Sequence, residues 1–196
     1  MANNIKRAKN LFFKIYNNSI RKFKICKSGI SWNVKITNPD NIYISEGVNI
    51  GKMTWIYAIK GDNSGNVFSP LIELNKGVEI GRMCHITCSK RLVLDENVFI
   101  TERVLITDSI HGYKDIDTPI YYQPLISKNG IHIGSGTWVG NGASIVGNVT
   151  IGKGCVISTN SVVANMDIPD YCVVSGNPAK IVKKYNQTTK EWETVK

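Results

Sequence analysis

The chain has 196 residues, of which 42% are hydrophobic and 20% are charged, a composition typical of a single soluble domain. No apolar run reaches the roughly 20 residues that a membrane-spanning helix needs. Lys14 interrupts the short apolar run at 11–15, which excludes the hydrophobic core of a signal peptide there. The five cysteines match no common spacing of zinc ligands. We therefore expect a cytoplasmic protein with free thiols and no metal.

The net charge of +9 belongs to one end of the chain. Residues 1–39 contain nine basic and no acidic residues, so the 15 basic residues that remain of the 24 are balanced by the 15 acidic ones. A domain that binds nucleic acid carries its positive charge on the folded surface. The neutral remainder of this chain therefore argues against a nucleic-acid partner.

The basic N-terminal segment, residues 1–30, has apolar residues at helical spacing between positions 4 and 25. The pattern predicts an amphipathic helix. Two interpretations of this helix stay open. It lies on an anionic membrane surface, which would place the protein at the inner face of the membrane near lipid-linked glycan intermediates. Alternatively, it covers the open end of the β domain, where unpaired strand edges invite aggregation.

Aliphatic side chains recur at every sixth position in the rest of the chain. They form three trios before residue 109 and an unbroken series after residue 130. The trios are Ile44, Ile50, Ile56; Leu74, Ile80, Ile86; and Leu94, Ile100, Ile106, and the series is Ile133, Val139, Ile145, Ile151, Ile157, Val163. A period of six fits neither an amphipathic helix nor an alternating strand. It fits a flat strand followed by a corner, and three such units close a triangular coil of about 18 residues.

This pattern predicts a mainly β fold, with a parallel β-helix of about five coils over residues 31–178. Two polar interruptions, at 60–73 and 109–130, are predicted to be loops that leave the coils. Residues 179–196 are predicted to form a short C-terminal cap and a tail. The periodicity by itself does not determine the hand of the coils.

Four features resemble the hexapeptide-repeat acyltransferase superfamily, and within it the sugar O-acetyltransferases of the maltose, galactoside and polysaccharide-biosynthesis types. They are the six-residue array, ITDSIHGY at 106–113 before a long loop, IGSGTWVGNGASIVGNVTIG at 133–152, and VVSGNPAKIV at 173–182. The resemblance implies a left-handed β-helix, acetyl-CoA as co-substrate, and a sugar or glycan-intermediate acceptor. It also implies a homotrimer whose sites form between subunits.

The resemblance makes His111 the general base. A neutral imidazole would deprotonate the acceptor hydroxyl, which then attacks the thioester directly. Asp108 either orients His111 or contacts the acceptor, or it simply forms a turn beside Ser109.

Other residues of the two loops and their surroundings are expected to border the acceptor. Tyr113 and His85 are assigned to the acceptor site, and His132 to a solvated corner. For Tyr121 and Tyr122, contact with the sugar and packing against a neighbouring subunit both stay open.

The resemblance also assigns residues to the cofactor. Trp138 lies outward, either beside the pantetheine arm or at a trimer contact. Small residues at 143, 144 and 161 offer backbone groups to the pantetheine amides, and lysines near the C-terminus meet the CoA phosphates. These residues are Ala143, Ser144, Ser161, Lys180, Lys183 and Lys184. Ala164-Asn165 replaces the Thr-Lys of many sugar acetyltransferases, which removes one expected phosphate contact.

The expected function is therefore acetyl-CoA-dependent O-acetylation of a sugar hydroxyl in bacterial surface-polysaccharide biosynthesis. N-acetylation of a nucleotide-linked amino sugar and acetylation of an antibiotic stay open as alternatives. Two readings of a different class are a zinc enzyme similar to the γ-carbonic anhydrases and a scaffold without activity. The spacing of the three histidines, 26 and 21 residues apart, argues against the zinc enzyme.

Overall fold

The computed structural model describes residues 29–195. The amphipathic helix predicted at 4–25 lies outside these residues. Between residues 29 and 195 the helices are two short 3-10 turns, Pro39–Asn41 and Ile120–Tyr122, and neither is long and apolar enough to cross a membrane.

The chain winds as short strands separated by corners. In chain order the strands are β1 (Gly29–Ile30), β2 (Lys35–Thr37), β3 (Ile42–Ile44), β4 (Asn49–Ile50), β5 (Trp55–Ala58), β6 (Leu71–Leu74), β7 (Glu79–Ile80), β8 (His85–Cys88), β9 (Arg91–Leu94), β10 (Phe99–Ile100), β11 (Leu105–Thr107), β12 (Ser109–His111), β13 (Leu125–Ser127), β14 (Ile131–Ile133), β15 (Trp138–Val139), β16 (Ser144–Val146), β17 (Val149–Ile151), β18 (Val156–Ile157), β19 (Val162–Ala164), β20 (Asp167–Ile168), β21 (Cys172–Gly176), β22 (Ala179–Asn186) and β23 (Glu191–Thr194).

Three sheets form the three faces of a triangular prism. The first face holds β1, β4, β7, β10, β15, β18 and β21, all parallel, followed by the antiparallel strands β22 and β23. The second face holds β2, β5, β8, β11, β16 and β19, and the third holds β3, β6, β9, β14, β17 and β20. The predicted left-handed parallel β-helix is confirmed. It makes six complete turns, because β1 and β2 precede the repeats recognised in the sequence, which begin at Ile44 in β3.

The interior is filled by ladders of similar side chains, one from each turn. On the second face a ladder without solvent exposure consists of Ile56, Ile86, Ile106, Ile145 and Val163. Parallel strands stack at about 4.8 Å, so residues at the same position of successive turns are in van der Waals contact. The six-residue period of the sequence is therefore the spacing that returns an aliphatic side chain to the interior once per face.

Polar groups that turn inward at the corners are satisfied between turns. The hydroxyl of Thr54 donates to the carbonyl oxygen of Gly81 at 2.8 Å and accepts the N–H of Cys84 at 3.2 Å. Thr137 repeats the second contact with Cys155 at 3.1 Å. Burial raises the pKa of both thiols. The four cysteines between residues 29 and 195 are free, as the sequence predicts.

Replacement of a ladder residue tests this account of the interior. Ile106→Ala removes three buried carbon atoms between two rigid turns, and we expect it to lower the free energy of unfolding by roughly 2–5 kcal/mol. Ile116→Ala is the matched control, because Ile116 is 94% exposed. Denaturant titration followed by circular dichroism measures both variants, and equal losses would contradict the ladder.

Candidate active site

Two loops leave the β-helix at the corner between the second and third faces. One follows β5 and occupies residues 59–70, and the other follows β11 and occupies residues 108–130. The turn between them crosses the same corner through Ser89 and Lys90 alone. The longer loop begins with a hairpin in which β12 and β13 pair antiparallel, with His111 opposite Leu125. This hairpin carries the predicted general base away from the body of the protein.

The imidazole of His111 is exposed to solvent. Its ring lies 6.5 Å from the ring of Tyr121, centroid to centroid, with 27° between the planes. Neither ring nitrogen forms a hydrogen bond to any residue between 29 and 195. Either nitrogen is therefore accessible to an acceptor, and a general base needs one nitrogen within reach of the proton that it removes.

Asp108 lies at the base of the hairpin and is 1% exposed. Its carboxylate accepts hydrogen bonds from the N–H groups of Ser89, at 2.8 Å, and Lys90, at 2.7 Å, and from the Ser89 hydroxyl at 3.2 Å. His111 is not among its partners. These partners belong to the preceding turn of the β-helix, a contact that none of the interpretations left open by the sequence describes. Asp108 fastens the start of the hairpin to the corner of the preceding turn, and its burial argues against contact with an acceptor.

His85 lies on the outer surface of the second face. Its ring stacks on Trp55 with centroids 4.8 Å apart, and Lys35 places its Nζ 4.0 Å from the centre of the same indole. Burial against this stack lowers the pKa of His85. Leu105 follows His85 in register. Contact between His85 and an acceptor stays a prediction. Because one face of the imidazole is covered by Trp55, an acceptor would meet the edge of the ring.

The predicted tyrosines are exposed, and one of them, Tyr121, lies beside the ring of His111. Tyr113, Tyr121 and Tyr122 are each more than half exposed. Tyr121 and Tyr122 contact each other edge to face, with centroids 5.3 Å apart. Aromatic edges and hydroxyls of this kind suit a polar ligand or a second protein surface equally well.

The sequence analysis missed Asp62, in the shorter loop. Its carboxylate accepts hydrogen bonds from Ser64 and Asn66 and, across 63 residues of sequence, from the N–H of Leu125 at 2.9 Å. Desolvation works against ionisation, but the hydrogen bonds from Ser64, Leu125 and Asn66 outweigh it and hold the pKa of Asp62 well below its usual range. The sequence GDNSGN signals a turn, but nothing in it identifies the distant partner.

Trp138 is 45% exposed on the first face. It lies in a column of outward-facing residues that are in register from strand to strand: Phe99, Trp138, Val156, Val173 and Lys183. Three strand spacings, about 14 Å, separate Trp138 from Lys183. Lys180 and Lys184 are exposed on the same strand, β22. The fold thus brings the predicted aromatic and lysine residues of the cofactor site onto one sheet.

The three small residues assigned to the pantetheine arm are already engaged. The N–H groups of Ala143, Ser144 and Ser161 donate to carbonyl oxygens within the β-helix at 2.8–3.2 Å. Ala143 and Ser161 have no exposed surface, and the Ser161 hydroxyl accepts the N–H of Gly176. Two of these N–H groups are paired within their own turn, Ala143 with Gly140 and Ser161 with Ser158, and that of Ser144 is paired with the next turn. Contact of the backbone groups of these residues with the pantetheine amides stays a prediction.

The three histidines lie in three different environments. His132 pairs with Asp95 at 2.8 Å in a groove of about 470 Å³ on the third face, whereas His85 stacks on Trp55 and His111 lies on the hairpin. Between residues 29 and 195 no group of three or more His, Cys, Asp or Glu side chains has the arrangement of metal ligands. The groove is also lined by an ion pair, Arg91 with Glu73.

Comparison with known proteins agrees with this architecture. The family model "Bacterial transferase hexapeptide (six repeats)" matches residues 130–165. The chain is 31% identical over 129 residues to the "Putative lipopolysaccharide biosynthesis O-acetyl transferase WbbJ" of Escherichia coli, which covers 63% of this chain and 65% of that protein. It is 33% identical over 140 residues to the "Probable acetyltransferase Rv3034c" of Mycobacterium tuberculosis, which covers 71% of this chain and 43% of that one. The chain thus spans less than two thirds of the length of both curated relatives.

Solved structures share the fold at low sequence identity. AntD, an N-acyltransferase from Bacillus cereus in complex with dTDP and 3-hydroxybutyryl-CoA, superimposes with a TM-score of 0.70 at 16% identity, over 88% of this chain and 90% of that one. The acetyltransferase domain of PglB from Neisseria gonorrhoeae gives a TM-score of 0.56 at 18% identity, over 86% and 63% of the two chains.

The anchoring role of Asp108 is testable by Asp108→Asn. The amide has one acceptor oxygen where the carboxylate uses two, so one buried N–H loses its partner. We expect the free energy of unfolding to fall by roughly 1–3 kcal/mol. Asp117→Asn is the control, since Asp117 is exposed. Unchanged stability of Asp108→Asn, measured by denaturant titration, would contradict the anchoring role.

Proposed function

Since the chain belongs to the hexapeptide-repeat transferase family of left-handed β-helix proteins, we propose that it transfers an acetyl group from acetyl-CoA to a sugar hydroxyl. We place the acceptor among the units of a bacterial surface polysaccharide, because WbbJ is named for lipopolysaccharide biosynthesis. The observation that carries the proposal is His111, exposed on its hairpin with its ring nitrogens accessible and the ring of Tyr121 beside it.

His111 performs the proton transfers of the proposed reaction. A sugar hydroxyl is a poor nucleophile at neutral pH, and the neutral imidazole removes its proton as the oxygen attacks the thioester carbonyl. The tetrahedral oxyanion is stabilised by N–H donors and collapses with cleavage of the C–S bond. The imidazolium returns the proton to the departing CoA sulfur. The acetyl group passes directly to the acceptor, without an acyl-enzyme.

The first face supplies the proposed binding surface for acetyl-CoA. The column from Trp138 to Lys183 offers an apolar surface to the pantetheine arm and positive charge to the phosphates. Lys180, opposite Ser175, adds charge on the same face of the sheet, whereas Lys184 is opposite the buried Cys172 and lies on the other face. The acyl-CoA in the AntD complex supports a co-substrate of this class. The missing Thr-Lys at 164–165 makes the charge of β22 the main source of phosphate contacts.

N-acylation of a nucleotide-linked amino sugar is the second candidate. AntD is an N-acyltransferase, and crystals of one of its variants hold dTDP-4-amino-4,6-dideoxyglucose. We favour the hydroxyl acceptor because WbbJ, at 31% identity, is more similar in sequence to this chain than AntD, at 16%, and is named as an O-acetyl transferase.

We further propose a cytoplasmic homotrimer in which the site forms between subunits. The exposed side chains of Phe99, Tyr121, Tyr122 and Trp138 support this assembly, since exposed aromatic residues of this number favour a partner surface. Contact of residues 4–25 with the inner face of the membrane belongs to the same proposal. It would bring the acceptor loops close to lipid-linked glycan units.

The reaction is tested by release of free thiol from acetyl-CoA, with sugars, nucleotide-sugars and antibiotics as acceptors. His111→Asn should lower the acceptor-dependent rate at least about 100-fold, because general base catalysis is lost. Acetyl-CoA binding, measured by calorimetry, should be unchanged.

The same assay separates the alternatives. An amino-sugar acceptor would favour the second candidate, and an antibiotic would move the acceptor away from the cell surface. Absence of both release and acetyl-CoA binding would leave a scaffold, and stoichiometric zinc by elemental analysis would favour the zinc enzyme.

The cofactor surface is tested by Trp138→Ala. Loss of the indole should raise the KM for acetyl-CoA about tenfold and leave the KM for the acceptor within twofold. Trp32→Ala is the matched control, an exposed tryptophan in the first turn. Equal effects of the two substitutions would contradict a specific role for Trp138.

A further inference from the structure

We propose that the shorter loop is a clamp that positions His111, with Asp62 and Asn63 as its two positioning residues. The catalytic meaning of the clamp rests on the proposed role of His111 as general base, but the contacts that define it do not. The clamp loop comprises residues 59–68 and closes through an antiparallel bridge between Gly61 and Val67.

Asp62 connects the clamp loop to the return strand of the hairpin. Its Oδ1 accepts hydrogen bonds from the N–H groups of Ser64 and Asn66, at 3.0 and 3.1 Å, and from the Ser64 hydroxyl at 2.6 Å. Its Oδ2 accepts the N–H of Leu125 at 2.9 Å and the side-chain amide of Asn66 at 3.0 Å. One oxygen thus shapes the clamp loop, and the other also holds β13.

Asn63 makes the second connection. Its side-chain amide donates to the carbonyl oxygen of Tyr121 at 3.3 Å. Both residues held by the clamp loop are neighbours of His111. Leu125 is directly opposite His111 in the hairpin, and the ring of Tyr121 lies beside the imidazole.

Beyond the contacts with the clamp loop, residues 110–127 have few contacts with the β-helix that could fix their position. Ile110 and Ile126, which are opposite each other in the hairpin, are 42% and 37% exposed, so neither is buried against the β-helix. Gln123 braces the loop internally through the carbonyl oxygens of Asp115 and Thr118. Among residues 29–195, two hydrogen bonds join 110–127 to the rest of the chain. Leu125 donates one to Asp62, and Asn63 donates the other to Tyr121.

The two anchors of the hairpin come from different turns. Asp108 fastens its first strand to the corner of the preceding turn, and Asp62 fastens its return strand to a loop two turns away. His111 lies between these points, so its position relative to the β-helix depends on both. An error of about 1 Å in the position of a catalytic group can cost 100-fold in rate.

The carboxylate of Asp62 is ionised at neutral pH, so the hydrogen bonds of the clamp are present there. Its pKa is depressed in the folded state, so its contribution to stability is present above about pH 4, the ordinary value, and is lost as the pH falls further. At neutral pH the carboxylate accepts at both oxygens. An asparagine at this position has a single acceptor oxygen and cannot replace both sets of contacts.

The test compares Asp62→Asn with Asp40→Asn, which removes the same charge from an exposed site in the first turn. In the full-length protein, kcat and KM for acetyl-CoA are measured by thiol release, and hydrogen exchange is followed by mass spectrometry. Asp62→Asn should lower kcat about tenfold, keep the KM for acetyl-CoA within twofold, and speed exchange at 120–127 about tenfold. Peptides from 131–157 should be unchanged, and Asp40→Asn should resemble the wild type.

Two results would overturn the clamp. Unchanged exchange at 120–127 in Asp62→Asn would show that the contact does not hold the hairpin. Faster exchange with unchanged kcat would show that the held position does not matter to the reaction. If the wild type itself acetylates no acceptor, the proposed function fails, and the exchange result alone then decides whether Asp62 holds the hairpin. Asn63→Ala, which removes the weaker contact, should give a smaller change in the same direction.

Discussion

The hydrogen bonds between successive turns are the constraint on which the rest of the structure depends. Each strand donates to the carbonyl oxygens of the turn that follows, as His85 does to Val104 at 2.9 Å and Leu105 to Ala143 at 3.0 Å. The second of these pairs is 38 residues apart, yet its geometry is the same as that of the first. An insertion is therefore tolerated only where the chain leaves at a corner and returns in register, since a shift by one residue would place interior side chains outside.

The site follows from this constraint. The β-helix is rigid because its interior is packed and its backbone groups are paired, so chemistry is confined to side chains on the outer faces and to loops at corners. The proposed cofactor surface uses the regular part, where strand register alone sets the distance from Trp138 to Lys183. The proposed base uses the irregular part, where no register operates. There, individual hydrogen bonds accepted by Asp62 and Asp108 fix the position of the chain, as the repeated strand register does elsewhere.

The sequence predicted the structural features that recur in every turn of the β-helix, and it missed the contacts that occur only once. The ladder with Ile56, Ile86 and Ile106 could be read from a period of six, because the same position returns to the same environment on every turn. The hydrogen bond that Leu125 donates to Asp62 occurs once and joins residues 63 apart, so no sequence pattern predicts it and only the folded chain reveals it. The backbone pairing of Ala143 and Ser161 was missed for a related reason. Small residues at those positions show that the backbone is tightly packed, but not that its N–H groups are already paired within the same corner, with the carbonyl oxygens of Gly140 and Ser158.

The reversal of the chain at β22 has a consequence for growth of the protein into fibres. A stack of parallel turns ends in an edge that could accept another parallel strand, and two β-helices placed end to end would then continue each other. On the first face, β22 and β23 run antiparallel and extend the sheet beyond the last turn. A second molecule arriving at this end meets an edge that does not match the repeat and that presents charged side chains. The antiparallel pair that begins with the lysine-bearing strand β22 therefore also ends the parallel repeat on the first face.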